Sequence, residues 1–285
     1  MANRGKLKQV ISASRRTDIP SFYLNGFIEA IQQGWIEVAN PFYPQKVKRV
    51  SLRPEDVAWI VFWSRNYAHF LRKRSYFEAY QLFFHFTILS PSVLEKRPMD
   101  IAKQLDQMEQ LAGYYGPERI IWRYDPLVFW EDNGMVNTNF KLDEFKQMAK
   151  RIGGFGVKRC YTSIAFPYAK FKSRLAQKFP TFRLLDKPHS FALKIVKEMV
   201  AIARDAGIQI YACCTDVLLT IDGVKKGHCI DGHLLNQLHP QEKVSVAKAP
   251  TRPQCGCTSS IDIGDYRKQP CYTGCIYCYA NPVWK

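Results

Sequence analysis

Long apolar runs are missing from this chain of 285 residues, and none approaches the roughly 18 residues that a membrane-spanning helix needs. The opening residues Met1-Ala2-Asn3-Arg4-Gly5-Lys6 lack the apolar core of a signal peptide and run straight into a strand-like segment. The expectation is a cytoplasmic protein with no membrane partner. Acidic residues are scarce, 25 Asp and Glu against 41 Lys and Arg, for a formal charge of +16. Such a surface attracts polyanions at modest salt and favours nucleic acid, nucleotides or anionic metabolites as partners. A generally basic, solubilising surface explains the charge equally well, because the basic residues are scattered and the densest run, Arg72-Lys73-Arg74, is short. No phosphate-binding glycine loop, no Ser/His/Asp arrangement, no internal repeat and no low-complexity segment stands out.

Apolar material is plentiful, 47% of residues with 14% aromatic, enough for a single α/β domain over residues 1–285. Short apolar runs recur at Gln9–Ser12, Trp35–Ala39, Val57–Trp63, Leu82–Leu89, Arg119–Tyr124, Arg159–Ala165, Ile208–Cys213 and Ser260–Gly264. Helical patterns lie between them: Phe22–Gln32 capped by Ser21, Ile101–Leu111 behind Asp100, Leu142–Ile152, and Phe191–Ala206 capped by Ser190 and stopped by Gly207. This alternation predicts parallel βαβ units in a (β/α) barrel, a partial barrel or a doubly wound sheet. Polar residues follow several of the runs, where such folds place their chemistry: Ser14-Arg15-Arg16-Thr17-Asp18, Arg123-Tyr124-Asp125 and Cys213-Cys214-Thr215-Asp216. The proline-bearing stretch 238–254 reads as an irregular connection into a cysteine-rich loop over 255–285.

Nine cysteines are present, six of them beyond residue 228. In a reducing compartment, clustered thiols more often bind metal or do redox chemistry than form disulfides. Cys271, Cys275 and Cys278 have a Cys-x3-Cys-x2-Cys spacing. Three thiolates so close can grip three irons of a [4Fe–4S] cube and leave the fourth iron open for a small molecule.

That motif resembles the signature of the radical S-adenosylmethionine superfamily, Cys-x3-Cys-x-aromatic-Cys, with Tyr277 at the aromatic position; the following Tyr279-Ala280 is most similar to the spore photoproduct lyase branch. The resemblance implies that Cys271, Cys275 and Cys278 ligate the cluster, that Tyr277 lies beside the adenine, and that S-adenosylmethionine binds the open iron. Reductive cleavage, fed by an electron donor protein, would give a 5′-deoxyadenosyl radical that acts on an unknown, anionic and nucleic-acid-related substrate. Ile11–Pro20, Asn40-Pro41-Phe42, Val61–Ser64, Trp122–Pro126, Cys229-Ile230-Asp231 and Cys255-Gly256-Cys257 together resemble a bacterial family known only as a domain of unknown function.

The superfamily places its motif after the first barrel strand, whereas here it follows the last strand-like run. A circular permutation resolves the conflict, with Ser260–Gly264 as the superfamily's first strand and Gln9–Ser12 as its second. On that footing Ser12, Ser14 and Asp18 contact the methionyl amino group and Arg15 or Arg16 its carboxylate.

Plainer readings stand beside these. The three cysteines with Cys255 or Cys257 would also make a zinc site that staples the chain. A non-enzymatic nucleic-acid-binding module with such a structural metal site is the alternative function. Arg15, Arg16 and Asp18 would serve as a capping and ion-pair cluster, and Arg123 with Asp125 either as a strand-end ion pair or as catalytic residues. Cys213 or Cys214, Cys229, Cys255 and Cys257 leave room for a second cluster, with His228 as a metal candidate. Cys160 and His85 read as interior side chains.

Overall fold

The computed structural model describes residues 7–185 and 190–284. In chain order the strands are β1 (Gln9–Ala13), β2 (Trp35–Ala39), β3 (Val47–Ser51), β4 (Val57–Ser64), β5 (Leu82–Thr87), β6 (Ile120–Arg123), β7 (Phe129–Asp132), β8 (Met135–Thr138), β9 (Arg159–Thr162), β10 (Arg183–Leu184), β11 (Gln209–Ala212), β12 (Val224–Lys226) and β13 (Ile261–Asp262). The helices are α1 (Leu24–Gln33), α2 (Ala68–Arg72), α3 (Ile101–Tyr115), α4 (Leu142–Gly154), α5 (Ala169–Lys178), α6 (Ser190–Asp205) and α7 (Gly232–Leu238).

The architecture is α/β, with a large eight-stranded parallel sheet in the order β12-β11-β9-β6-β5-β4-β1-β13. Apart from β13, which stands before β1, the strands follow chain order, as successive crossovers produce. The last strand of the sequence therefore pairs with the first, Ile11 opposite Ile261 and Ser12 opposite Asp262. Seven of the eight anticipated strands lie in this sheet. Trp35–Ala39 does not: it forms an antiparallel hairpin with β3, and the eighth place goes to the short, lysine-bearing β12. The reason is local, since Asn40 Oδ1 accepts from the N–H of Phe42 and of Tyr43 and folds the chain straight back on itself.

Contacts divide the chain into two compact units. One takes the described residues up to Phe84 together with His228–Gln269; the other takes His85–Gly227 and the described residues from Pro270 onward. In the first, β4 is buried along nearly its whole length, as a central parallel strand must be. Its Phe62 packs with Phe27, Phe70 and Phe77 at ring-centroid distances of 6.0, 5.0 and 5.4 Å. In the second, Trp122 stacks on Phe145 at 5.0 Å, and α4 and α6 bury Phe145, Met148, Ala149, Ile152 and Ala192, Ile195, Val196, Met199, Ala203. Both sets follow the helical period.

Helix starts test the capping signals. Asp100 caps α3 as anticipated, accepting from Ala102 N and Lys103 N. Ser21 does not cap the next helix of the first unit; Asp18 accepts from Ser21 N across a single wide turn, Ile19–Tyr23, and α1 begins only at Leu24. The Ser21 hydroxyl instead reaches Ser64 and the Asn66 carbonyl. Among the described residues no helix is long and apolar enough to cross a membrane.

Candidate functional site

In the first unit, polar groups gather where the paired strands β1 and β13 end. Asp262 is buried, and its carboxylate accepts from Ser12 Oγ at 2.9 Å, Ser14 Oγ at 2.5 Å, Arg15 N at 2.8 Å and Gly264 N at 3.1 Å. The Arg15 and Arg16 Nε atoms lie 3.6 and 3.8 Å from the same carboxylate. Trp63 Nε1 donates to Ser12 Oγ at 3.0 Å, and Arg16 Nη1 donates to the Gly264 carbonyl at 3.0 Å. Gly264 is required by this crowding: a Cβ there would sit 2.1 Å from Ser14 Oγ. Four of the residues singled out in the sequence, Ser12, Ser14, Arg15 and Arg16, thus converge on one carboxylate to which no local pattern points. Its signal was the β1–β13 pairing itself, which puts Asp262 opposite Ser12.

Asp18 serves a different group of atoms. Its carboxylate accepts from Ser21 N at 3.0 Å, Ser64 Oγ at 2.7 Å and Arg65 N at 3.1 Å, which ties the turn after β1 to the end of β4. Burial pushes its pKa above the usual 3.8 in spite of these bonds. Tyr67, itself buried, is raised well above the ordinary phenol range by burial and then by the Asp18 charge.

In the second unit the Cys271–Cys278 loop is pinned by its backbone. Ile276 N donates to Leu94 O at 3.0 Å, Lys96 N to Gly274 O at 3.1 Å, Cys271 N to Asn281 O at 3.1 Å and Val283 N to Cys271 O at 2.7 Å. Arg174, on α5, donates through Nε to the Ile276 carbonyl at 2.9 Å and through Nη2 to the Cys278 carbonyl. Burial lowers the Arg174 pKa, and the nearby Cys278 opposes that shift. The Tyr277 hydroxyl is hydrogen-bonded to Glu95. Cys275 is buried, while Cys271 and Cys278 are partly exposed. Nothing in the local sequence announces Glu95 or Arg174, because each meets the loop across a long stretch of chain.

At the end of β6, Arg123 and Asp125 form the ion pair the sequence suggested, and Ser163, following β9, also donates to Asp125. Cys160 is a core residue of β9 whose thiol pKa burial drives far up, and His85 is likewise interior. Cys229, Cys255 and Cys257 meet in the first unit, whereas Cys213 and Cys214 belong to the second.

Each unit contains at least three cysteines, and thiols are in kind the donors a thiophilic metal takes. Among the described residues, however, no group of three or more His, Cys, Asp or Glu side chains is already arranged to hold a metal ion. A comparison with curated proteins gives no match. The family described as a domain of unknown function (DUF1848) matches residues 10–280, nearly the whole chain, and the protein belongs to that family.

Proposed function

We propose that this protein is a radical S-adenosylmethionine-like enzyme on a (β/α) barrel or partial barrel, circularly permuted relative to that superfamily, with a [4Fe–4S] cluster on Cys271, Cys275 and Cys278. The observation that carries the reading is the loop itself: three thiols at the superfamily's spacing, in a segment whose backbone is bonded on both flanks. Three ligands suit a cluster that must keep one iron open. Arg174 holds the loop through the Ile276 and Cys278 carbonyls, and the bond to Glu95 fixes the Tyr277 ring. When bound, the cluster and S-adenosylmethionine supply a 5′-deoxyadenosyl radical. Ser12, Ser14 and Asp18 are assigned to the amino group of S-adenosylmethionine and Arg15 or Arg16 to its carboxylate. Arg123 and Asp125 are assigned to an anionic substrate, and an electron donor protein is the required partner.

Anaerobic purification followed by iron, sulfide and zinc analysis tests the reading. It predicts iron with matching sulfide, lost when Cys271, Cys275 or Cys278 is replaced by Ala. Iron content unchanged in all three variants would exclude the loop as the ligand set. Zinc without sulfide on those cysteines would favour the non-enzymatic nucleic-acid-binding module.

A further inference from the structure

A second group of thiols lies in the first unit, apart in sequence from the Cys271–Cys278 loop. The Cys257 thiol is in hydrogen-bond contact with both Cys229 and Cys255, and all three are buried. The backbone locks them together: Thr258 N donates to Ile230 O at 2.9 Å, Gly232 N donates to Thr258 Oγ1 at 2.9 Å, and Ile230 N donates to Cys257 Sγ at 3.4 Å. The neighbouring His228 packs its imidazole onto the bend between the two cysteines. A Cβ on Gly256 would come within 2.7 Å of His228 Nε2, so a glycine there is what lets the ring approach.

We propose that Cys229, Cys255 and Cys257, with His228, form a second and closed site for a single thiophilic ion of the zinc type, structural rather than catalytic. Zinc–thiolate bonds of about 2.3 Å put two sulfurs of a tetrahedral site about 3.8 Å apart, the range at which thiols touch by hydrogen bonding. Cys257 already touches Cys229 and Cys255, and loading requires the three thiols and His228 to close in around the ion. Loading breaks three S–H bonds, forms three S–metal bonds and one N–metal bond, and releases three protons to solvent. Uptake accordingly weakens as pH falls. The ion would fasten the chain ahead of α7 to the segment that leads into β13.

The test uses the full chain with Cys271, Cys275 and Cys278 all replaced by Ser, so that its result is independent of the proposed iron–sulfur loop. Metal-free protein, prepared anaerobically, is titrated with cobalt(II) alone. The expected outcome is one cobalt per chain with thiolate-to-cobalt charge-transfer absorption and the visible bands of a tetrahedral ion, displaced by zinc. His228→Ala, with folding checked by circular dichroism, should weaken cobalt binding at least about tenfold and alter the visible bands. Absence of cobalt–thiolate absorption in a folded chain overturns the proposal. So does recovery of iron with sulfide on these three cysteines, which would make the group a second cluster.

Discussion

Asp18 accepts three hydrogen bonds, yet burial outweighs them and raises its pKa above 3.8. A carboxyl whose folded pKa is raised binds more protons in the folded than in the unfolded state. Its contribution to stability is therefore fully present below the unfolded value near 3.8 and is lost as pH rises through the folded value. Asp18→Asn removes that dependence while keeping most of the shape. The stability gap between the native protein and the variant, measured by urea unfolding, should shrink as pH rises from 3.8, and a gap independent of pH would show that burial does not set this titration. Gly264→Ala acts on the neighbouring network by driving a Cβ into Ser14 Oγ, and should destabilise by about 1–3 kcal/mol. A loss under about 0.5 kcal/mol, the usual size at an unconstrained surface position, would mean that the Ser14–Asp262 packing gives way freely. At this scale the sequence showed polar residues clustered after a strand, but not which carboxylate they serve. Asp262 finds Ser12 and Ser14 only because β13 pairs with β1, and no local pattern carries that information.

The turn at Gly274 decides how the cysteine loop is presented. Its φ is +72°, and a Cβ there would lie 2.6 Å from Lys96 Cβ and 3.0 Å from the Val283 carbonyl. Gly274→Ala should destabilise by about 1–3 kcal/mol and lower the iron retained after anaerobic purification, although it removes no ligand. Unchanged stability and iron would separate the loop's backbone from its metal chemistry. Legibility at the scale of elements followed periodicity and caps. The α3 and α4 helices were readable because Asp100 and the spacing of Phe145, Met148, Ala149 and Ile152 are local signals. The β7–β8 hairpin was missed although Asn133-Gly134, both with positive φ, is a strong two-residue turn signal. Trp35–Ala39 has the composition of a sheet strand, but the Asn40 turn commits it to a hairpin first. β12 has only three residues, two of them lysine, too few for a period to show.

Across the whole chain, β13 stands ahead of β1 in the sheet order, which is the neighbour relation the proposed permutation requires. It was legible only through a resemblance, since composition and periodicity predict strands without ordering them. The +16 charge belongs to this scale as well. If it serves an anionic partner, binding of a single-stranded oligonucleotide should weaken linearly in log affinity against log salt; a flat titration would leave the charge a solubility feature. The central claim is that Cys271, Cys275 and Cys278 hold a cluster with one open iron that binds S-adenosylmethionine. The most direct measurement is the electron paramagnetic resonance spectrum of the reduced, anaerobically purified protein with and without S-adenosylmethionine. The account predicts a [4Fe–4S] signal whose g-values change on addition, and whose response is lost when Cys275 is replaced by Ala. A cluster spectrum indifferent to S-adenosylmethionine, or the absence of any cluster signal in iron-replete protein, would contradict it.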